Sequence, residues 1–301
     1  MRLIRTGKVK EVYEVDKDTL EFVFTDNISV FDKIIPSSIP YKGETLCRTA
    51  VFWFQLLKTK GFRSHFKEFI PPNRMRVRRF QIIEDYDLID TSSVNYLIPL
   101  EVISRHYAAG SLLDRLKDGS LKAEDLGFPA GHVVTPGEKL PLPYVEASTK
   151  LEEVDRLLDE KEAKSIAGLS DEEFQQIRDT TLAIDEVIAD EAAERLLIHV
   201  DGKKEYGYDD SRQLMIIDTF GTLDEDRWWD ADDYISGEAQ ELSKELIRRH
   251  YRDSGYFDLL MEARRNGEPE PDIPALPDEL VGQVSQLYVD MFERITGESF
   301  R

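Results

Sequence analysis

The sequence predicts an α+β fold, in which antiparallel hairpins and amphipathic helices occupy separate stretches of the chain. Residues 9–25 and residues 196–218 each carry two strand-like runs around a polar turn, which is typical of a β-hairpin. Helices are predicted in six other stretches. They cover residues 45–60, 112–117, 150–164, 170–195, 236–250 and 278–296.

Composition limits the classes of protein to which the chain can belong. At 301 residues it can hold one large domain or two lobes, and its net charge of −21 argues against nonspecific nucleic-acid binding. Cys47 is the single cysteine, so a disulfide framework and a cysteine-rich zinc site are excluded. The most apolar run, Ala50–Leu57, is too short to span a bilayer, and residues 1–8 lack the apolar core of a signal peptide. We therefore expect a cytoplasmic protein without a nucleic-acid or membrane partner; a homo-oligomer stays open.

The first hairpin combines alternating residues 9–15 with a second strand at 20–25. Gly7 precedes it, and Lys8 and Lys10 lie at its mouth. A glycine and lysines at such a position can cover the phosphates of a nucleotide. Solvated lysines on an edge strand are the alternative.

The segments that follow predict a first lobe. Residues 26–43, with two prolines and a glycine, are predicted to form a structured loop ahead of the helix at 45–60. Residues 74–83 predict a further strand. Residues 85–95 are polar and can join two lobes.

The stretch Pro99-Leu-Glu-Val-Ile-Ser-Arg-His-Tyr-Ala-Ala-Gly-Ser111 begins as a strand and is predicted to leave that pattern at Arg105 and His106. Ser111 stands at the N-cap position of a helix. Free N–H groups at the helix start, close backbone approach at Gly110 and the guanidinium of Arg105 together predict an anion site. A plain strand-to-helix corner with a surface arginine is the alternative.

A long loop is predicted over 119–143, followed by Ala147-Ser-Thr-Lys150. Ser170 and Glu173 form a capping box, which marks the start of the helix at 170–195. Residues 268–277 contain four prolines and predict a linker before the last helix.

The second hairpin carries most of the candidate chemistry. Lys203 and Glu205 share one face of its first strand, and Asp218 ends its second strand. Acids from adjacent strands can share one Mg²⁺, and a nearby cation fits phosphoryl transfer. An exposed hairpin with cross-strand charge pairs is the alternative.

The segment after this hairpin presents Arg227 ahead of two tryptophans, Trp228 and Trp229, which are predicted to be core residues. His106 and His199 are expected to be structural histidines with satisfied hydrogen bonds, since the five histidines are scattered without metal-binding spacing.

Five segments, taken in order, resemble the SAICAR synthetase (phosphoribosylaminoimidazole-succinocarboxamide synthase) family. They are Gly7-Lys-Val-Lys-Glu-Val-Tyr13, the 99–111 stretch, Ala147-Ser-Thr-Lys150, Asp201-Gly-Lys-Lys-Glu-Tyr-Gly207 and Asp218 to Trp228. The resemblance covers residues from about 7 to 250. It implies a two-lobed α+β fold related to ATP-grasp, with a nucleotide-binding lobe over 1–95 and a larger lobe over 96–301 that holds the substrate site and closing helices.

The resemblance also implies an ATP-dependent ligase of purine biosynthesis. The carboxylate of the ribotide CAIR is activated and attacked by the amine of L-aspartate, which gives SAICAR, ADP and phosphate. The resemblance implies roles for residues that match the family's motifs. Lys8 and Lys10 would lie at the ATP phosphates, and Glu205 and Asp218 at the nucleotide and Mg²⁺. The ribotide phosphate would be bound by Arg105, Ser111 and Arg227, and the reacting imidazole would lie beside Lys203 and Asp201. A mobile loop near the substrate would be bordered by Ser148, Thr149 and Lys150.

The chain departs from the family pattern at four positions within these motifs. Thr219 replaces a glutamate, Asp226 replaces a serine beside Arg227, and Gly202 and Lys204 replace apolar residues. Asp226 is compatible with a phosphate ligand at 227 only if its side chain turns away.

One further departure, together with the four above, keeps other functions open. The family's His-Asp pair after Ser-Thr-Lys is replaced, with Asp155 and Asp159 as candidate acids. A small-molecule kinase, a paralogous ligase for another ribotide or amine, and a nucleotide-binding protein without turnover are the alternatives.

Overall fold

The computed structural model describes residues 1–152, 154–238, 241–242 and 244–301. Contacts between Cα atoms divide the chain into two compact units. Unit 1 comprises Met1–Phe52, Phe66–Arg78 and Glu241–Arg301, and unit 2 comprises Trp53–His65 and Arg79–Gln240. Each unit is built on its own antiparallel sheet.

The strands of unit 1 are Arg2–Thr6 (β1), Lys10–Asp16 (β2), Thr19–Phe24 (β3), Asn27–Val30 (β4), Lys33–Ser38 (β5), Phe66–Ile70 (β6) and Arg74–Arg78 (β7). The main sheet has the order β1-β2-β3-β7-β6, which confirms the first predicted hairpin. β4 and β5 form a separate hairpin, so the loop predicted over 26–43 is wrong. Phe31 and Asp32 adopt positive φ angles of 52° and 64°, which lets the chain reverse in two residues.

The strands of unit 2 are Tyr96–Tyr107 (β8), Lys139–Thr149 (β9), Leu157–Leu158 (β10), Leu197–Tyr208 (β11), Leu214–Ile217 (β12) and Asp226–Asp230 (β13). They are ordered β10-β9-β8-β11-β12, and β13 also pairs with β11. The second predicted hairpin is therefore confirmed as β11 and β12. β8 continues to Tyr107, so the expected break at Arg105 is wrong: both Arg105 and His106 lie inside the strand.

The helices are Lys42–Thr59 (α1), Ser111–Asp118 (α2), Glu160–Ala167 (α3), Asp171–Ala193 (α4), Ala231–Ser236 (α5), Glu245–Asp253 (α6), Tyr256–Asn266 (α7) and Asp278–Thr296 (α8). α1, α2, α4 and α8 confirm four of the predicted helices. Ser170 accepts from the Glu173 N–H and Glu173 accepts from the Ser170 N–H, as the capping box predicts. Within the described residues, none of the helices is long and apolar enough to cross a membrane.

Two predicted helices are wrong in extent. The one predicted over 150–164, of which residue 153 lies outside the described residues, is replaced by β10 and α3. Asp159 stops its extension towards the N-terminus, because its carboxylate caps α3 by accepting from the Glu162 N–H at 2.8 Å. The helix predicted over 236–250 begins only at Glu245, and residues 239, 240 and 243 of it lie outside the described residues.

The closing segment belongs to unit 1, whereas the sequence predicts it in the second lobe. Ser285 of α8 donates to the Pro40 carbonyl at 2.7 Å, and Arg48 of α1 donates to the Phe300 carbonyl at 3.0 Å. These contacts tie residues from the two ends of the chain into one unit.

In unit 2, α4 packs on β8 and β11. Thr181 of α4 and Tyr206 of β11 share a buried hydroxyl–hydroxyl hydrogen bond of 2.7 Å. One face of β11 is thereby covered by a helix. The other face carries Asp201, Lys203 and Glu205, and the candidate site is built there.

Candidate functional site

The register of unit 2 brings two arginines to one aspartate. Asp201 of β11 lies between Arg105 of β8 and Arg227 of β13. Arg227 forms an ion pair with the Asp201 carboxylate, and Arg105 Nη1 lies 3.6 Å from the same oxygen. Arg105 is only 7% exposed and also donates to Glu146 at 2.8 Å.

The start of α2 closes this arginine pair. Arg105 Nη2 donates to the Ser111 hydroxyl at 3.2 Å. The N-cap is Gly110 rather than Ser111, so the predicted cap is wrong: β8 runs further than expected and the Ser111 hydroxyl serves Arg105. A Cβ at Gly110 would lie 2.7 Å from Arg227 Nη2, and the φ angle there is +58°, so both space and backbone favour glycine.

A lysine surrounded by carboxylates lies further along the same face of β11. Lys203 Nζ is 2.7 Å from Glu101, 3.3 Å from Glu225 and 3.5 Å from Glu205. Burial opposes its charge, but these three acids outweigh burial and hold the pKa of Lys203 well above its usual value. Lys203 is therefore a permanent cation here and not a general base.

A second ammonium faces the two acids predicted to bind metal. Lys150 forms an ion pair with Glu205, and Glu205 stands opposite Ile217, directly before Asp218. Burial lowers the pKa of Lys150, but the charges of Glu205 and Asp218 outweigh it and raise that pKa. The charges of both carboxylates therefore reach Lys150, and carboxylate oxygens are the donors that Mg²⁺ prefers.

Ser148 and Thr149 are buried in β9 beside this site. Ser148 stands opposite Glu101, and the Thr149 hydroxyl accepts from the Arg156 N–H at 3.0 Å. Of the three residues predicted near the substrate in this motif, Lys150 thus contacts a predicted metal ligand. Asp159 serves as a helix cap, as described above.

Lys8 and Lys10 lie in unit 1, whereas the other predicted site residues lie in unit 2. Lys8 Nζ pairs with Asp32 at 2.8 Å, with the lysine side chain about half exposed. Lys10 Nζ lies 4.4 Å from the centre of the Phe22 ring. Their role at a nucleotide stays a prediction.

The sequence missed four acids and bases that contact the site. They are Glu101, Arg115, Glu146 and Glu225. Glu101 was detectable, because it shares the face of Arg105 four residues along the same strand. Glu225 was not, because it reaches Lys203 from a loop. The Thr219 hydroxyl donates to Glu225 at 3.4 Å, so this loop acid contacts the position where the family motif carries its own glutamate.

Asp226 turns away from the arginine pair, as a phosphate ligand at 227 requires. Its carboxylate lies 2.6 Å from His199 Nε2 and accepts from the Gly221 N–H at 2.9 Å. Trp228 and Trp229 are buried, which confirms their assignment to the core. The expectation of two satisfied histidines holds only in part: His106 contacts Asp185 at 3.1 Å, but His199 Nδ1 has no hydrogen-bond partner among the described residues.

Known proteins resemble this chain along its length. The family model described as SAICAR synthetase matches residues 3–260. The phosphoribosylaminoimidazole-succinocarboxamide synthase of Thermoplasma volcanium is 53% identical over 300 residues, covering 100% of each chain. The enzyme of that name from Thermoplasma acidophilum is 52% identical over 300 residues with the same coverage.

The fold is similar to that of solved structures as well. A SAICAR synthetase (Type-2) in complex with ADP matches with a TM-score of 0.70 and 26% identity, covering 99% of each chain. The predicted combination of antiparallel sheets and flanking helices is therefore found in a solved relative.

Proposed function

Because this chain belongs to the SAICAR synthetase family, we propose that it ligates CAIR and L-aspartate into SAICAR while ATP becomes ADP and phosphate. The observation that carries this function is the row of charged groups on one face of β11. Asp201 with its two arginines stands at one end, and Lys203 and Glu205 follow at the next two positions of that face. Successive positions on one strand face are about 7 Å apart, so one extended ligand can contact both groups.

Arg105, Ser111 and Arg227 are proposed to bind the ribotide phosphate. Two guanidiniums supply the forked donors that suit a phosphate, and Asp201 and Glu146 hold them in place before it binds. A phosphate there would compete with Asp201 for Arg227.

The neighbouring acids and lysines are proposed to activate the carboxylate of CAIR. A carboxylate is a poor electrophile, so transfer of the ATP γ-phosphoryl group to its oxygen supplies a leaving group. The aspartate amine then forms the C–N bond, the C–O bond breaks, and the departing phosphate takes up the proton that the amine loses. Lys203, fixed by three carboxylates, offers a permanent positive charge to the oxygens on which negative charge develops.

Glu205 and Asp218 would hold Mg²⁺, and Lys8 and Lys10 would contact the ATP phosphates. Glu205 stands opposite Ile217, the residue before Asp218, and carboxylate oxygens are the hard donors that suit this ion. Bound there, Mg²⁺ would neutralise charge on the phosphates. Ser148, Thr149 and Lys150 border this position on β9.

The proposal is tested by ADP release with ATP, Mg²⁺ and CAIR, measured with and without L-aspartate. We expect turnover only when every component is present, with SAICAR as the product. ADP formed at full rate without the amine would indicate a small-molecule kinase. Turnover that requires a different ribotide or amine would indicate a paralogous ligase.

A further inference from the structure

A β-bulge in β11 separates His199 from the site residues. His199 pairs with Trp228 and Asp201 pairs with Arg227, so Val200 is the extra residue on β11. In a regular strand His199 and Asp201 would share a face. Here His199 contacts Asp226 and lies near Asp185 of α4, whereas Asp201 contacts the two arginines.

Behind the site face, five polar residues form a buried cluster, which we term the helix-face cluster. Lys204 forms an ion pair with Asp185, and His106 Nε2 lies 3.1 Å from the other oxygen of Asp185. His199 Nε2 lies 2.6 Å from Asp226, and its Nδ1 lies 3.8 Å from Asp185. Asp185, His199, Lys204 and Asp226 have side chains that are at most 1% exposed.

The charges of this cluster balance when Asp226 is ionised and one imidazole is protonated. Among these described residues, two carboxylates face one ammonium, and the Lys204–Asp185 pair is neutral by itself. A buried carboxylate at Asp226 without a positive partner would cost free energy. The groups that face His199 are Asp226 on β13, Asp185 on α4, Asp201 on β11 and His106 on β8. Lys204 contacts the same Asp185 oxygen that lies 3.8 Å from His199 Nδ1. An imidazolium at His199 neutralises Asp226 and directs its second N–H towards Asp185.

Asp226 fixes the segment that enters the site. Its Oδ1 accepts from the Gly221 N–H at 2.9 Å, and its own N–H donates to the Thr222 carbonyl at 2.9 Å. The residues on either side of it point the other way: Glu225 contacts Lys203, and Arg227 contacts Asp201. One buried anchor therefore sets the position of the arginine that follows it.

We infer that His199, as an imidazolium, and Asp226 form a buried ion pair that positions Arg227 for the ribotide. The inference rests on the proposed function, in which Arg227 binds the ribotide phosphate. His199 and Asp226 are positioning residues, since neither contacts the site face. Gly202 leaves the space that this ion pair occupies, because a Cβ there would lie 2.2 Å from Asp226 Oδ2 and 2.9 Å from His199 Nε2.

The kinetic test compares His199→Gln and Asp226→Asn with Tyr206→Phe. Tyr206→Phe also removes a buried polar contact between β11 and α4, but it leaves β13 untouched. We expect the first two variants to raise KM for CAIR about tenfold while KM for ATP and kcat stay within about twofold. Tyr206→Phe should change none of them. An equal rise in KM for CAIR and in KM for ATP would overturn the positioning role. So would a KM for CAIR that is unchanged in both variants.

Ring nitrogen NMR of the full chain provides a readout that does not depend on turnover. Both nitrogens of His199 should carry protons in the wild type at neutral pH, and one should lose its proton in Asp226→Asn. The Arg227 Nε–H signal should shift in His199→Gln and Asp226→Asn but not in Tyr206→Phe. If Asp226→Asn does not fold, His199→Gln gives the Arg227 comparison alone.

These measurements separate the two proposals. Wild-type protein without turnover on CAIR would end the proposed function, while the NMR signals would still decide whether the ion pair exists and moves Arg227. A neutral His199 in the wild type would overturn the inference. So would a stoichiometric transition metal in the purified protein, because His106, Asp185 and His199 present ligand atoms within 4.8 Å of one another and a metal would take the Nδ1 lone pair.

Discussion

The two faces of β11 both carry charged residues, but they compensate them differently. On the helix face, Asp185 pairs with Lys204 and two histidines. Burial raises the pKa of Asp185, yet the Lys204 ammonium and the hydrogen bond to His106 outweigh burial and leave that pKa below its usual value. On the site face, burial again raises the pKa of Asp201, and here Arg227 and Arg105 only reduce the rise.

This difference separates charge that stabilises the fold from charge that is kept for a ligand. A lowered pKa means that the folded state favours the ionised carboxylate, whereas a raised pKa means that it disfavours it. Asp185 therefore contributes stability in its charged form. Asp201 costs stability, which is expected where a site is arranged for a substrate.

Adjacent lysines provide the strongest test of this contrast, and the largest effect is expected for Lys203→Met. Lys203 supplies the positive charge at the proposed reaction centre, so we expect kcat to fall by about 10²- to 10³-fold. The thermal midpoint should fall less than for Lys204→Met, because Lys203 and Glu225 are each about a quarter exposed and water partly compensates the acids that lose their ammonium. Steady-state kinetics and thermal unfolding of the same preparation measure both. A kcat within tenfold of the wild type would remove Lys203 from the chemistry.

Lys204→Met should show the opposite pattern. Lys204 is fully buried, and its loss leaves the Asp185 carboxylate without its ammonium, which costs about 3–5 kcal/mol in unfolding free energy. The kcat of the folded protein should stay near that of the wild type, as measured by denaturant unfolding and kinetics.

The double variant Lys204→Met/Asp185→Leu is the matched control, because an apolar pair requires no charge balance. It should recover a large part of the lost stability. An additive loss in the double variant would contradict the view that Lys204 and Asp185 act as one pair.

Sequence alternation assigns most side chains of β11 to the correct face, but it fails at the bulge at Val200. Alternation along a strand correctly places Lys203 and Glu205 on one face. The same counting extended back from Asp201 would place His199 on the site face, but the bulge at Val200 shifts the alternation and turns His199 to the helix face. A bulge is set by pairing with β13, and that partner is distant in sequence.

The fold shows the same division between local and distant causes. α4 could be predicted because Ser170 and Glu173 lie three residues apart and cap each other. The roles of Glu225 and Asp226 could not, since each depends on a partner more than twenty residues away. Nothing in the sequence links the four departures from the family pattern, at residues 202, 204, 219 and 226, to one another. In the structure, Gly202 makes room for Asp226, and Lys204 lies in the cluster that neighbours both.

Asp201→Asn is the prediction with the smallest stability change. At neutral pH the variant should be slightly more stable than the wild type, because it removes a charge that the fold disfavours, while ligase activity is lost. The sign follows from linkage: the folded state of the wild type holds this proton more tightly than the unfolded state, so its stability rises as pH falls through the raised pKa. The advantage of the variant should therefore shrink as the pH approaches about 4, where the unfolded aspartate also takes up a proton. Denaturant unfolding of both proteins at neutral and acidic pH measures this difference. A variant that is less stable than the wild type at neutral pH would mean that pairing with Arg227 and Arg105 outweighs burial, and the two faces of β11 would then compensate their acids alike.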